Sequence, residues 1–145
     1  MKVLLDEDVP QPVIRLVEHL LRGHDVRHVS QLEWSGKKDV PLISDAARRG
    51  FGAFVTQNIG QFNDPAECDA IKRSGMHHIS YELPSSGLRG LGLASGALCA
   101  AIIPVVVELE SLARQHIVKI TALDRSRKRY DVTDPAIEPP SPYWR

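Results

Sequence analysis

The 145-residue chain is 43% hydrophobic and 25% charged, ordinary values for a globular domain and poor ones for a disordered or membrane-embedded chain. Its 18 basic and 18 acidic residues cancel, so nothing global advertises a polyanionic partner, although a local basic patch is compatible with that total. Cys68 and Cys99 lie far apart without a CxxC pair, which argues against a disulfide or zinc framework.

In chain order, Val3, Leu4 and Leu5 form a short apolar run of the kind that makes a fully buried strand. The run stops at three consecutive carboxylates, Asp6, Glu7 and Asp8. Pro10 and Pro12 suit the first turn of a helix in which Val13, Leu16, Val17, Leu20 and Leu21 recur at helical spacing, and Gly23 ends it. Residues 24–29 alternate like a half-exposed strand. A polar loop over 30–38 carries Trp34 and Gly36. Asp39 opens a second helix, with Val40 and Pro41 in its first turn and Leu42, Ile43, Ala46 and Ala47 on one face; Gly50 closes it. Ala53, Phe54, Val55 and Thr56 form another short buried strand, which ends in the polar run Thr56, Gln57, Asn58.

The second half continues the alternation. Residues 65–74 predict a helix stopped by Gly75, residues 76–83 a strand, and residues 84–90 a flexible Ser/Gly loop. A long helix is expected over 91–115, kinked near Pro104. Residues 116–123 alternate as a strand, and residues 128–133 are expected to pair with it across an Arg/Ser turn. Pro135, Pro139, Pro140 and Pro142 make 134–145 an extended tail, leaving residues 1–133 as a single domain. Strands alternating with helices imply an α/β fold with a mainly parallel sheet covered on both faces. The most apolar window, 91–109, contains Gly92, Ser95, Gly96, Pro104 and Glu108, and reads as a buried helix rather than a membrane span. Acids follow the opening residues immediately, unlike a signal peptide, so a soluble cytoplasmic domain is expected. The long apolar helix makes a homodimer reasonable, because its buried face can exceed what one subunit covers.

Parallel strands present their carboxyl ends on one edge, where open α/β folds place their sites. Asp6 and Asp8 end one such strand, Thr56 and Asn58 end another, and Asp39 begins a helix between them. Crowded carboxylates repel one another, and the natural compensator is a hard divalent cation that prefers oxygen ligands, Mg²⁺ or Mn²⁺. Such an ion activates water and stabilises the oxygens of an in-line phosphodiester displacement. The simpler alternative makes Asp39 a helix cap and Asn58 a turn residue.

These motifs resemble a known family. Leu4-Leu5-Asp6-Glu7-Asp8-Val9-Pro10 is similar to the opening of PIN-like domains. Asp39-Val40-Pro41-Leu42-Ile43 followed by Phe54-Val55-Thr56-Gln57-Asn58 resembles the corresponding segment of VapC-type ribonuclease toxins. Gly23-His24-Asp25-Val26, Trp34, Gly36 and Asp64-Pro65-Ala66-Glu67 resemble a shorter PIN-like branch of that group. The resemblance covers residues 1 to about 80 well and the rest loosely. It implies a three-layer α/β/α sandwich, a divalent-metal site and endoribonuclease activity restrained by a cognate antitoxin. Carried over, Asp6 and Asp39 are principal metal ligands, Asp8 and Asn58 supporting ligands or water-positioning groups, and Thr56 orients the cluster; Glu7 stands beside them. One departure is that VapC-type chains carry a further Asp where this chain has Gln61; Asp64 lies close enough in sequence to substitute.

Two other classes fit parts of the pattern. Asp6-x-Asp8 after an apolar strand mimics the nucleophile motif of haloacid-dehalogenase-like phosphatases, with Lys72 as the downstream lysine, but no late acidic pair follows. A non-catalytic PIN-like interaction module is the alternative that Gln61 suggests. Arg125, Arg127, Lys128 and Arg129 form a basic cluster suited to RNA phosphates, or to a solvated turn. Trp34, Tyr143 and Trp144 are of the type that stacks on bases, although core or interface roles are commoner. His77 and His78 point to opposite faces of a strand, and His24 and His28 lack a third ligand for zinc.

Overall fold

A computed structural model describes residues 1–144. Five strands form one sheet: β1 (Lys2–Leu5), β2 (Asp25–His28), β3 (Ala53–Thr56), β4 (His77–Tyr81) and β5 (Ile117–Ile120). All are parallel, in the order β2-β1-β3-β4-β5. Four helices connect them: α1 (Gln11–Leu20), α2 (Asp39–Arg48), α3 (Pro65–Ser74) and α4 (Gly87–Glu110). Two short 3₁₀ turns, Val29–Leu32 and Ile59–Asn63, precede α2 and α3.

Strand alternation sorts the core into two halves. Val3, Leu5, Val55 and Ile79 pack on α1 and α4 through Val13, Val17, Leu98, Ile102 and Val106. Leu4 and Phe54 point the other way, onto α2 and α3 through Leu42, Ile43, Ala46, Ala70 and Ile71. The result is the expected α/β/α sandwich with a parallel centre. Helix starts follow local chemistry. Pro12 and Pro65 occupy first-turn positions, and Gly75 ends α3 at φ 69°, a conformation that a Cβ would strain.

The chain turns back on itself at β1. The first crossover carries it to β2, on one side of β1; the next crosses over β1 to β3, and the rest of the sheet grows on that side. The topological switch point therefore falls between the carboxyl ends of β1 and β3.

Two expectations about the second half need correction. The last helix spans Gly87–Glu110 rather than 91–115, so part of the supposed Ser/Gly loop is its first turn. Ser111 closes it, with its N–H and hydroxyl both donating to the Glu108 carbonyl. Pro104 sits inside the helix, removing the bond to the Ala100 carbonyl without ending it. By length and composition alone α4 would cross a membrane, yet Ala94, Leu98, Ile102, Val106 and Leu109 lie in the core. Residues 128–133 form no strand: Tyr130 and Val132 stay 68% and 78% exposed, so pairing would bury too little apolar surface to offset the ordering of the chain.

Candidate functional site

The ladder between β1 and β3 continues one step past β1, where the Asp6 N–H donates to the Val55 carbonyl at 2.9 Å. This fixes the Asp6 side chain, only 8% exposed, beside the end of β3. Thr56, fully buried, occupies the centre of the arrangement. Its hydroxyl lies 2.7 Å from Asp6 Oδ2 and 3.1 Å from Asp8 Oδ2, and it accepts from the Asn58 N–H at 2.9 Å. One hydroxyl proton serves only one carboxylate at a time. Asp8 is held further by the Gln57 N–H, at 3.1 and 3.0 Å from its two oxygens, and Asp6 Oδ1 accepts from the Glu7 N–H at 2.8 Å. The Gln57 amide spans the gap to β4, donating to the Asp8 carbonyl at 3.0 Å and the Tyr81 hydroxyl at 3.1 Å.

A second pair of acids lies opposite. Asp39 stands in the first turn of α2, and its Oδ2 accepts from the Asn58 amide at 3.4 Å. The Glu67 carboxyl, in the first turn of α3, comes within hydrogen-bonding range of Asp39. At this range the Asp39 charge disfavours ionisation of Glu67, an opposition that a cation between them would relieve. Both stand at the positive end of a helix dipole, which offsets part of their repulsion. Glu67 is the member that sequence reading misses, because Asp64-x-x-Glu67 reads as an ordinary helix start.

The other expected residues fall outside this centre. Glu7 is exposed and accepts from the Gly36 N–H at 3.3 Å. Asp64 caps α3, accepting from the N–H groups of Ala66 and Glu67 at 2.9 and 3.0 Å. Gln61 is buried and donor-to-acceptor distance from His78 Nε2 is 3.1 Å, so its side chain turns into the core. Arg125, Arg127, Lys128 and Arg129 lie on an exposed loop after β5. Lys72 is exposed on the last turn of α3.

Burial dominates the electrostatics. It raises the Asp6 carboxyl above its usual range against the hydrogen bonds from Thr56 and Glu7, with Asp39 and Glu7 adding to the rise. Burial and then the charge of Asp6 push Asp8 up to about 6, opposed by Gln57 and Thr56. Glu67 is raised first by desolvation and then by Asp39 and Asp64. Among the described residues no Lys, Arg or His forms an ion pair with Asp6, Asp8, Asp39 or Glu67. An oxygen-only set of donors with uncompensated charge fits a hard divalent cation. The fit is chemical rather than preassembled: among the described residues no three carboxylates or imidazoles already converge at single-ion geometry. The two acid pairs are coupled through Asn58 and through the charge of Asp39 on Asp6 and Asp8.

A stability consequence follows for the metal-free protein. The folded-state value of Asp8 lies above the ordinary 3.8, so the folded chain binds its proton more tightly from about pH 4 to about pH 6. That contribution is complete below the window and is lost as pH rises through it. His78, held down to about 4 by burial, acts in the opposite sense over an overlapping range, so the wild-type slope alone is uninformative. Comparing the two proteins cancels the His78 contribution and leaves that of Asp8 together with its charge coupling to Asp6. Relative to wild type, Asp8→Asn should gain on the order of 2 kcal/mol between pH 4 and pH 6.5 in urea titrations with chelator. Parallel pH profiles for the two proteins would remove Asp8 as the source.

Comparison with known proteins agrees with this architecture. A family model described as a PIN-like domain matches residues 1–82, from β1 to the end of β4. No curated protein and no solved structure matches the chain. PIN-like domains are often nucleases. The matched segment is more than half of the chain and holds Asp6, Asp8, Asp39, Thr56, Asn58 and Glu67: the chain belongs to the PIN-like domain family.

Proposed function

We propose that the protein is a metal-dependent endoribonuclease of the VapC type, the toxin component of a toxin–antitoxin pair. The observation that supports this best is the sharing of one buried hydroxyl by Asp6 and Asp8 at the switch point, with no protein cation to compensate them. In this reading Asp6 and Asp39 are the principal ligands of Mg²⁺ or Mn²⁺, and Asp8 and Asn58 assist. Glu67, beside Asp39, supplies the acid that Gln61 does not. A bound ion supplies Lewis acidity toward the phosphodiester and a water of lowered pKa. The protein's own share is positioning: the Thr56 hydroxyl holds Asp6, the Gln57 N–H holds Asp8, and the Gln57 amide ties that loop to Tyr81. Arg125, Arg127, Lys128 and Arg129 contribute phosphate contacts. RNA and a cognate antitoxin protein are the partners, and the compartment is the cytoplasm. The domain is residues 1–133 with 134–145 as a tail. A homodimer would use the α4 face on which Ile103 and Val107 are 43% and 61% exposed.

The test is cleavage of a mixed RNA pool by identically purified wild type, Asp39→Ala and Glu67→Gln, with Mg²⁺, Mn²⁺ or chelator. Cleavage should require metal, fall roughly a hundredfold or more in Asp39→Ala and about tenfold in Glu67→Gln. No cleavage in any sample, together with no heat of Mn²⁺ binding, would make the chain a non-catalytic interaction module.

A further inference from the structure

The family match stops at residue 82, and a second concentration of charge lies beyond it. Because all five strands are parallel, β4 and β5 deliver their ends to the same edge as Asp6 and Thr56. The first turn of α4 and the loop 121–130 leave from that edge. They are tied together. Arg89 donates from Nη2 to the Arg125 carbonyl at 3.3 Å, and Arg129 from Nη2 to the Asp124 carbonyl at 2.5 Å. The Asp124 carboxylate accepts from the Ser126 N–H and hydroxyl at 2.9 and 2.7 Å, which fixes the turn from within. On the other side, a Cβ at Gly90 would lie 1.6 Å from the Ser85 carbonyl oxygen, so only glycine lets the preceding loop pass this close to Arg89's turn.

The resulting groove is lined by Arg89, Leu93, Arg125, Arg127, Lys128 and Tyr130. Within 121–130 there are four cations, and the sole acid, Asp124, is engaged in its own turn. None of these cations forms an ion pair among the described residues. Tyr130 is 68% exposed, with Lys128 Nζ 5.3 Å from its ring centroid. In a chain of zero net charge this is a marked local asymmetry.

We propose that this groove binds a single-stranded polynucleotide, with backbone phosphates on the arginines and Lys128 and a base stacked on Tyr130. The cations are strung along a loop rather than converging on one point, which suits a row of phosphates better than an isolated anion. An exposed ring stacks only on a base that is free of its own helix, so a single strand fits and a duplex does not. β5 stands two strands from β3, about 10 Å across the sheet, so a bound strand lies within reach of the carboxylates. The assignment of these cations to phosphates and the destination of the strand rest on the ribonuclease reading; the preference for a single strand stacked on Tyr130 comes from the groove itself.

The experiment measures fluorescence anisotropy of a short labelled oligoribonucleotide, its DNA counterpart and the matching duplex. The full chain carries Asp6→Asn, in chelator, so that nothing is cut. The double substitution Arg127→Glu with Lys128→Glu should weaken single-strand binding tenfold or more and flatten its log–log salt slope by about 1.4, the value for two lost phosphate contacts. Tyr130→Ala should weaken it about tenfold, and Tyr130→Phe should restore it. The duplex should bind more weakly than either single strand, and the RNA and DNA arms show whether the sugar matters. Unchanged binding in the charge-reversed protein, or tighter binding of duplex, overturns the proposal. If binding is unchanged while the Asp6-containing protein still cleaves, the groove fails and the nuclease stands. If binding is lost while nothing cleaves, the groove stands and the nuclease fails.

Discussion

Asp6→Asn should lower RNA cleavage roughly a thousandfold, comparable to the loss of a strong electrostatic stabiliser, while leaving the metal-free protein more stable than wild type. The two effects have one cause. Asp6 is almost buried, and its charge is opposed by burial and by Asp39 and Glu7. Its partners are the Glu7 N–H and the Thr56 hydroxyl. An asparagine can keep both: its oxygen accepts from Glu7, and its amide donates to the Thr56 oxygen, which frees the hydroxyl proton for Asp8. Removing a desolvated charge while every hydrogen bond keeps a partner should stabilise by about 1 kcal/mol at neutral pH. Urea denaturation in chelator reads the gain, and single-turnover cleavage with Mn²⁺ reads the loss. Stability and activity falling together would mean that Asp6 is a structural anchor of the β1 end instead.

The same conflict of charge and burial makes the candidate site legible in the sequence. Three acids after Val3-Leu4-Leu5 break the rule that a buried strand ends in groups the core can satisfy, and such a break has a physical reason only if something compensates it. The strand ends at Asp6 and Thr56, and the helix starting at Asp39, stood in the local pattern, because the apolar runs and first-turn prolines act over a few residues. What the pattern did not carry was which way a side chain turns at a helix start. Asp64 and Glu67 share one motif, yet Asp64 caps the helix and Glu67 reaches Asp39, a choice made by the packing of α3 beside α2. The expected pairing of residues 128–133 with the last strand had no surface to bury against, and local sequence cannot report that.

Gln61 carries the sharpest contrast between sequence and structure. Restoring an acid there, Gln61→Asp, should not tighten Mn²⁺ binding and should destabilise the protein by about 3 kcal/mol or more. Gln61 is fully buried, and His78 Nε2 donates to its Oε1 at 3.1 Å. The His78 ring is enclosed by Phe62 and Phe54, with centroids at 4.6 and 6.0 Å, and its burial keeps it neutral to about pH 4. Gln61 Nε2 and His78 Nδ1 already lack partners, and His78 is the one side chain that hydrogen-bonds position 61, so a carboxylate there has no second donor among the described residues. Aspartate is one methylene shorter, so it would sit in the same apolar space without the reach to His78. It would then be either protonated or an unpaired buried charge, and both states cost stability. Urea denaturation and calorimetric Mn²⁺ titration of the variant decide the matter. Tighter metal binding with stability preserved would show that the 3₁₀ turn over Ile59–Asn63 can present position 61 to the cleft, and that Gln61, rather than Glu67, holds the place of the missing acid.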